Sequence, residues 1–144
     1  MSYAIDQACY LFATAGLDLS SGTVKAALLG VSSSALTQTN QPTLISGYAT
    51  LGRYGGSTDA TLGSKTVTRN TTNHRTEFDC ADFAYTSLAF NTENVGGILL
   101  WKDTGGSDGP PIAVINDPAI FPLIPTGVTL TIAVHTQGLL NLNA

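Results

Sequence analysis

The residues with the greatest chemical potential lie in one loop rich in glycine and aspartate, within GGILLWKDTGGSDGPPIAVIND at residues 96–117. A phosphate-binding loop of the G-x-x-x-x-G-K-[ST] type carries its lysine after the glycines, where a helix begins. Here Lys102 precedes the glycines, and Pro110 and Pro111 prevent a helix from following them directly. The spacing therefore argues against a phosphate site.

The same loop offers oxygen donors for a cation in Asp103, Ser107 and Asp108. A calcium loop needs more carboxylates and a glutamate near its end, and that position holds Val114. We interpret the loop as a tight connection between two buried strands, in which the aspartates and glycines serve turn geometry. No metal and no cofactor is expected.

Acid–base or nucleophilic catalysis would most plausibly use His74 or His135, with Asp79, Asp82 or Cys80 as a partner. His74 lies beside a predicted turn, and His135 falls on the polar face of a predicted strand. We interpret both as surface histidines and Asp79 and Asp82 as caps of backbone N–H groups. The sequence thus predicts no catalytic residue and a protein that is not an enzyme.

The amino-acid composition limits the classes of partner that this protein could bind. Of the 144 residues, 43% are apolar and 11% are charged, against about 25% charged in an average soluble domain. With a net charge of −4 and six scattered Lys and Arg residues, we expect neither nucleic-acid nor membrane binding. No apolar run or basic leader indicates a membrane span or signal peptide. Cys9 and Cys80 are interpreted as buried thiols that stay reduced, because the protein is expected to be made in a reducing cytoplasm.

Apolar periodicity predicts a single domain over residues 1–144, mainly β. We expect an antiparallel β-sandwich or barrel of about 6–8 strands with one short N-terminal helix at residues 2–16. The Ser-, Thr- and Gly-rich residues 30–65 are predicted to form a long surface excursion, with a weak helical turn near residues 44–51. Core strands are expected within residues 66–142.

Individual strands differ in how clearly the sequence marks them. An early strand is predicted at 23–29, and 65–70 and 74–80 should form a hairpin, with a bulge or bend in the residues that follow. Residues 98–101 and 112–115 should be a central pair covered on both faces. In VTLTIAVH, residues 128–135, one strand should face inward through Val128, Leu130, Ile132 and Val134. A short strand is expected at 139–142.

Aromatic residues in the polar excursion suggest protein contacts. Few apolar neighbours in their own segment could bury Tyr48 and Tyr54, so we predict that both, with Leu51 and Arg53, contact another subunit. Trp101 follows a buried run and is interpreted as a core residue. No aromatic platform flanked by acids is visible.

A series of short motifs runs through residues 17–142: LSSGTVKAALL at 19–29, GSKTV and FDCADFAYTSL at 63–88, LLWKDTG at 99–105, PPIAVIND at 110–117, and the closing GVTLTIAVH and GLLNLN. In the order and spacing of these motifs, the chain resembles small structural proteins of tailed bacteriophages. In that family the mid-chain patterns are FDADD, YKDTG and PLIAYID. This chain departs from them with Cys80 for alanine, Trp101 for tyrosine, and a longer GRYGGSTDATLGS segment.

The resemblance implies a virion protein made in the host cytoplasm. We expect a capsid decoration (cement) protein on the capsid surface, whose partners are the major capsid protein and copies of itself in a homo-oligomer, with a trimer as the expected form. No small-molecule substrate is expected. The alternatives are a head–tail connector, tail or fibre-base subunit, and a carbohydrate-binding module on a fibre.

Overall fold

The computed structural model describes residues 2–4, 16–37, 42–50, 52–106 and 108–143. The strands are numbered in chain order: β1 Ser2–Ala4, β2 Thr23–Gly30, β3 Ala60–Thr61, β4 Thr66–Asn70, β5 Arg75–Asp79, β6 Phe83–Tyr85, β7 Val95–Asp103, β8 Pro111–Ile115, β9 Leu130–Ile132 and β10 Leu140–Asn143. Two 3₁₀ helices, η1 Ser34–Thr37 and η2 Ile45–Thr50, lie between β2 and β3. No helix of these ranges is long and apolar enough to cross a membrane.

The main sheet is antiparallel and has the strand order β1-β8-β7-β2-β3. Its three central strands are almost wholly buried, because TVKAALLG, VGGILLWKD and PIAVI carry apolar residues at successive positions. Such runs suit strands that are covered on both faces. The predicted central pair of β7 and β8 is confirmed, and β2 shares the centre of the sheet with it.

One face of the main sheet packs against two smaller sheets, with strand orders β10-β5-β4 and β6-β9. Val24 and Leu28 of β2 share one apolar cluster with Phe78 of β5, Tyr85 of β6 and Leu140 of β10. This packing gives a β-sandwich-like fold with antiparallel sheets, and the described residues form no closed barrel, so the predicted fold class is confirmed. The core is not confined to residues 66–142, because β2 lies at its centre.

The opposite face of the main sheet is covered by the segment that follows β2. Ala35 of η1 and both Ile45 and Tyr48 of η2 pack against a second cluster that includes Leu99 and Trp101. Leu36 of η1 can approach β7 closely because Gly97 has no side chain. A Cβ at this position would lie 2.8 Å from Leu36 Cδ2. Within the described parts of residues 30–65, η1 and η2 therefore cover the core, and we call these two helices the covering layer. The segment is not a surface excursion only.

Two predicted elements differ in the structure. Ser2–Ala4 forms a strand beside β8, so a helix that begins at Ser2 is wrong, and the rest of the predicted helix up to residue 15 lies outside the described residues. Of residues 128–135 only Leu130–Ile132 form a strand, and Val128 is exposed rather than inward-facing. The predicted hairpin of β4 and β5, the break before β6 and the closing strand β10 are confirmed.

Candidate contact surface

The loop between β7 and β8 is a tight connection whose carboxylates are occupied by the chain's own donors. Asp103 accepts hydrogen bonds from Lys25 Nζ at 2.6 Å and from the backbone N–H of Gly105 at 2.9 Å, which lower its pKa. Gly109 is required because a Cβ there would lie 1.8 Å from the Lys102 carbonyl oxygen. The turn interpretation is confirmed for these residues.

Asp108 ties this connection to the covering layer. Its carboxylate accepts hydrogen bonds from the backbone N–H groups of Gly109 at 2.9 Å and Ser46 at 3.2 Å. Burial acts to raise the pKa of Asp108, but hydrogen bonds from Gly109 and Ser46 outweigh it and lower the pKa. Ser107, the third oxygen donor that was considered for a cation in this loop, lies outside the described residues.

Three of the residues considered for catalysis form hydrogen bonds with nearby backbone groups rather than with one another. His135 Nδ1 accepts the Gln137 N–H at 3.1 Å, and Asp82 caps the Val134 N–H at 2.8 Å. Asp79 caps the Cys80 N–H at 2.8 Å. Within the ranges that the structure describes, no group of three His, Cys, Asp or Glu side chains could hold a metal ion. These side chains serve turns and strand ends.

The two remaining candidates, His74 and Cys80, lie in different surroundings. His74 has a positive φ of 51° in the β4–β5 turn and lines an open groove of about 440 Å³ beside Arg69 and Arg75. Cys80 is a buried thiol whose pKa is raised to about 11 by burial, with Asp79 and Asp82 adding to the shift. A thiol with so high a pKa is a poor nucleophile. Cys9 lies outside the described residues.

Asp59 organises a largely buried polar network beside the covering layer. Its carboxylate forms an ion pair with Arg53 and accepts the Trp101 Nε1–H at 2.8 Å. Lys25 Nζ lies 5.1 Å from the centroid of the Trp101 ring. Trp101 is therefore a core residue, as predicted, and its one polar atom is satisfied inside the protein.

Of the predicted contact residues, the two tyrosines are buried. Tyr48 is 1% exposed and Tyr54 is 4% exposed, and the Tyr54 hydroxyl donates to the Ala89 carbonyl oxygen at 2.9 Å. The premise that neither ring can be buried within the protein is wrong, because strands distant in sequence supply the apolar neighbours that their own segment lacks. Arg53 is partly buried in its ion pair with Asp59, and Leu51 lies outside the described residues.

A different segment presents apolar side chains to solvent. Ile120, Ile124 and Val128 are 52%, 69% and 64% exposed, and we call them the 120–128 apolar surface. Ile124 and Val128 line one shallow cleft of about 90 Å³. Because Ile124 and Val128 are exposed side by side, this cleft is a candidate contact surface. Ile120 of the same segment lines a different cleft with Phe121 and Ile132.

Backbone hydrogen bonds fix the 120–128 apolar surface to the body of the fold. Leu123 exchanges N–H···O bonds of 2.9 Å with Val95 of β7, and Leu88 is hydrogen-bonded to both Gly127 and Val128. The surface is therefore held by the scaffold rather than carried on a free loop. A sequence signal was present in DPAIFPLIPTGV, where three prolines among apolar residues disfavour both a helix and a central strand.

Comparison of this chain with protein-family models, with curated proteins and with solved structures yields no match.

Proposed function

We propose that this chain is a structural protein of a tailed-phage virion, and specifically a capsid decoration protein that stabilises the shell through protein contacts. The observation that carries the proposal is the 120–128 apolar surface, three exposed aliphatic side chains on a hydrogen-bonded β scaffold. The resemblance of residues 17–142 to phage structural proteins supports the virion as the place where that surface acts.

The energetics suit a protein that is present in many copies. Fully burying a Val, Leu or Ile side chain contributes about 1.5–3 kcal/mol, and each of these three still has half or more of its surface to bury. The summed burial energy of the three side chains is partly offset by the loss of translational and rotational freedom on association, so a single contact is weak. Repetition over a symmetric shell multiplies weak contacts into firm attachment.

The contact surface proposed from the structure replaces the one predicted at Tyr48, Leu51, Arg53 and Tyr54, which lie in the segment 40–62. Ile45, Tyr48 and Tyr54 of that segment are core residues. Removing the segment would expose the face of the main sheet that carries Leu99 and Trp101. A deletion of residues 40–62 would therefore unfold the protein rather than test binding.

The proposal is tested with capsids of the encoding phage that lack this protein. The double variant Ile124→Lys/Val128→Lys places two charges on the candidate surface and should weaken binding by about tenfold or more, because charged groups are costly to bury in an interface. The matched control is Val31→Lys, which changes an exposed apolar residue elsewhere. The measurement is bound protein per capsid against free concentration, after circular dichroism confirms that each variant is folded.

Equal binding of the double variant and the wild type would contradict the claim that the 120–128 apolar surface contacts the capsid. Loss of binding in both the double variant and Val31→Lys would show a general effect of added charge. Failure of the wild-type protein to bind capsids at all would contradict the decoration role itself.

A head–tail connector or tail subunit is the second candidate, because the edge of β4 is open in the described structure. Ring and tube subunits commonly pair strands across their boundaries. The carbohydrate-binding alternative gains no support from Tyr48, Tyr54 and Trp101, since all three rings are buried.

A further inference from the structure

The edge of β4 is open to another strand. Thr66–Asn70 is the outer strand of the sheet β10-β5-β4, and in the part of the chain that the structure describes it pairs with β5 alone. The outward N–H and C=O groups of such a strand can pair with a further chain.

This edge carries one charged residue, Arg69, but it has neither a proline nor a β-bulge, which are two other features that block strand addition. It has five residues in regular register with β5, without a proline or a bulge, whereas β1 and β3 at the edges of the main sheet have only three and two residues. Residues 66–69 are exposed, so neither face obstructs an incoming strand. Val67 is 44% exposed although it lies opposite the buried Phe78, on the same face of the sheet.

We propose that β4 pairs with β4 of a second copy, antiparallel and centred on Thr68. The two three-stranded sheets then form one six-stranded sheet across a two-fold axis. Thr68 lies opposite Thr68 of the second copy, and Val67 lies opposite the aliphatic stem of its Arg69, which covers the exposed valine. A second copy is the favoured occupant because TVTRN places a β-branched residue, or the stem of an arginine, opposite each of its three central positions.

Arg69 sets the strength of this pairing. It is the one charged residue of β4, and no ion pair joins it to the described residues. In the proposed register the two Arg69 side chains lie on one face as diagonal neighbours, at roughly 8 Å. Their repulsion weakens the dimer and is screened by salt. The pairing is a property of the free protein and does not depend on the proposed function.

The test is sedimentation equilibrium of the full chain from about 10 to about 500 µM. Replacing Arg69→Thr removes the repulsion and should lower the dimer dissociation constant by about threefold, and Val67→Lys adds a like charge and should raise it by a similar factor. Lys65→Thr is the control, because it removes the same charge just outside β4 and should leave the constant unchanged.

A charge swap identifies the register. Arg69→Glu alone should dimerise as weakly as the wild type, whereas an equimolar mixture with wild type should form heterodimers at least about threefold more tightly. Hydrogen exchange should show that amides of residues 66–70 become protected as concentration rises.

The proposal is overturned if Arg69→Thr remains monomeric over the whole range, or if Val67→Lys associates as the wild type does. Open-ended oligomers would indicate head-to-tail pairing of β4 with β10 and would also overturn the two-fold arrangement. Circular dichroism of each variant separates loss of pairing from loss of fold.

Discussion

At the scale of single residues, the polar side chains that attracted a chemical interpretation act as local structural partners. Asp103 and Asp108 hold the β7–β8 connection, while Asp79 and Asp82 cap backbone groups. These roles could be predicted, because Asp in turns satisfies nearby N–H groups. The role of Asp59 could not, since its partner Trp101 is 42 residues away in the chain.

Asp59 offers the sharpest stability test at this scale. Asp59→Ala should lower the free energy of unfolding by about 2 kcal/mol, because it leaves Arg53 unpaired and the Trp101 N–H without an acceptor. Asp59→Asn can still accept from Trp101 and should cost less, and Thr58→Ala, at an exposed neighbouring position, should have little effect. Urea unfolding followed by circular dichroism measures the series. Equal stability of Asp59→Ala and Thr58→Ala would contradict the bridging role.

At the scale of elements, strands with strong local signals could be predicted and those defined by distant contacts could not. The runs in β2, β7 and β8 are long enough to be recognised as buried strands from their own residues. The covering layer could not be recognised, because Ala35, Ile45 and Tyr48 are isolated in a polar segment and gain apolar neighbours only from the main sheet. The sequence also did not predict the 120–128 apolar surface. Val128 continues the apolar alternation of β9, which indicates an inward-facing residue, but it lies before the strand begins.

The covering layer leads to a second stability prediction. Tyr48→Ala should lower the free energy of unfolding by about 3 kcal/mol, because it opens a cavity against the main sheet. The matched control is Phe90→Ala, at an aromatic residue that is 56% exposed, which should change stability by about 0.5 kcal/mol or less. Thermal and urea unfolding measure both. Similar small losses for the two variants would show that residues 45–50 contribute little to the core.

At the scale of the whole molecule, an acidic β-sandwich-like chain with 11% charged residues carries exposed aliphatic side chains on one fixed segment. Its described carboxylates mostly bind the chain's own donors. This combination favours a scaffold that acts by contact with other protein chains. The fold class followed from the sequence, whereas the contact surface required the three-dimensional arrangement.

The most direct test of the proposed function is the copy number of the chain in purified tailed-phage particles, measured by quantitative mass spectrometry against the major capsid protein. A decoration protein should be present at on the order of hundreds of copies per particle, in fixed ratio to the capsid protein. About six or twelve copies would instead indicate a connector or tail subunit. Absence from the particles would contradict the central claim.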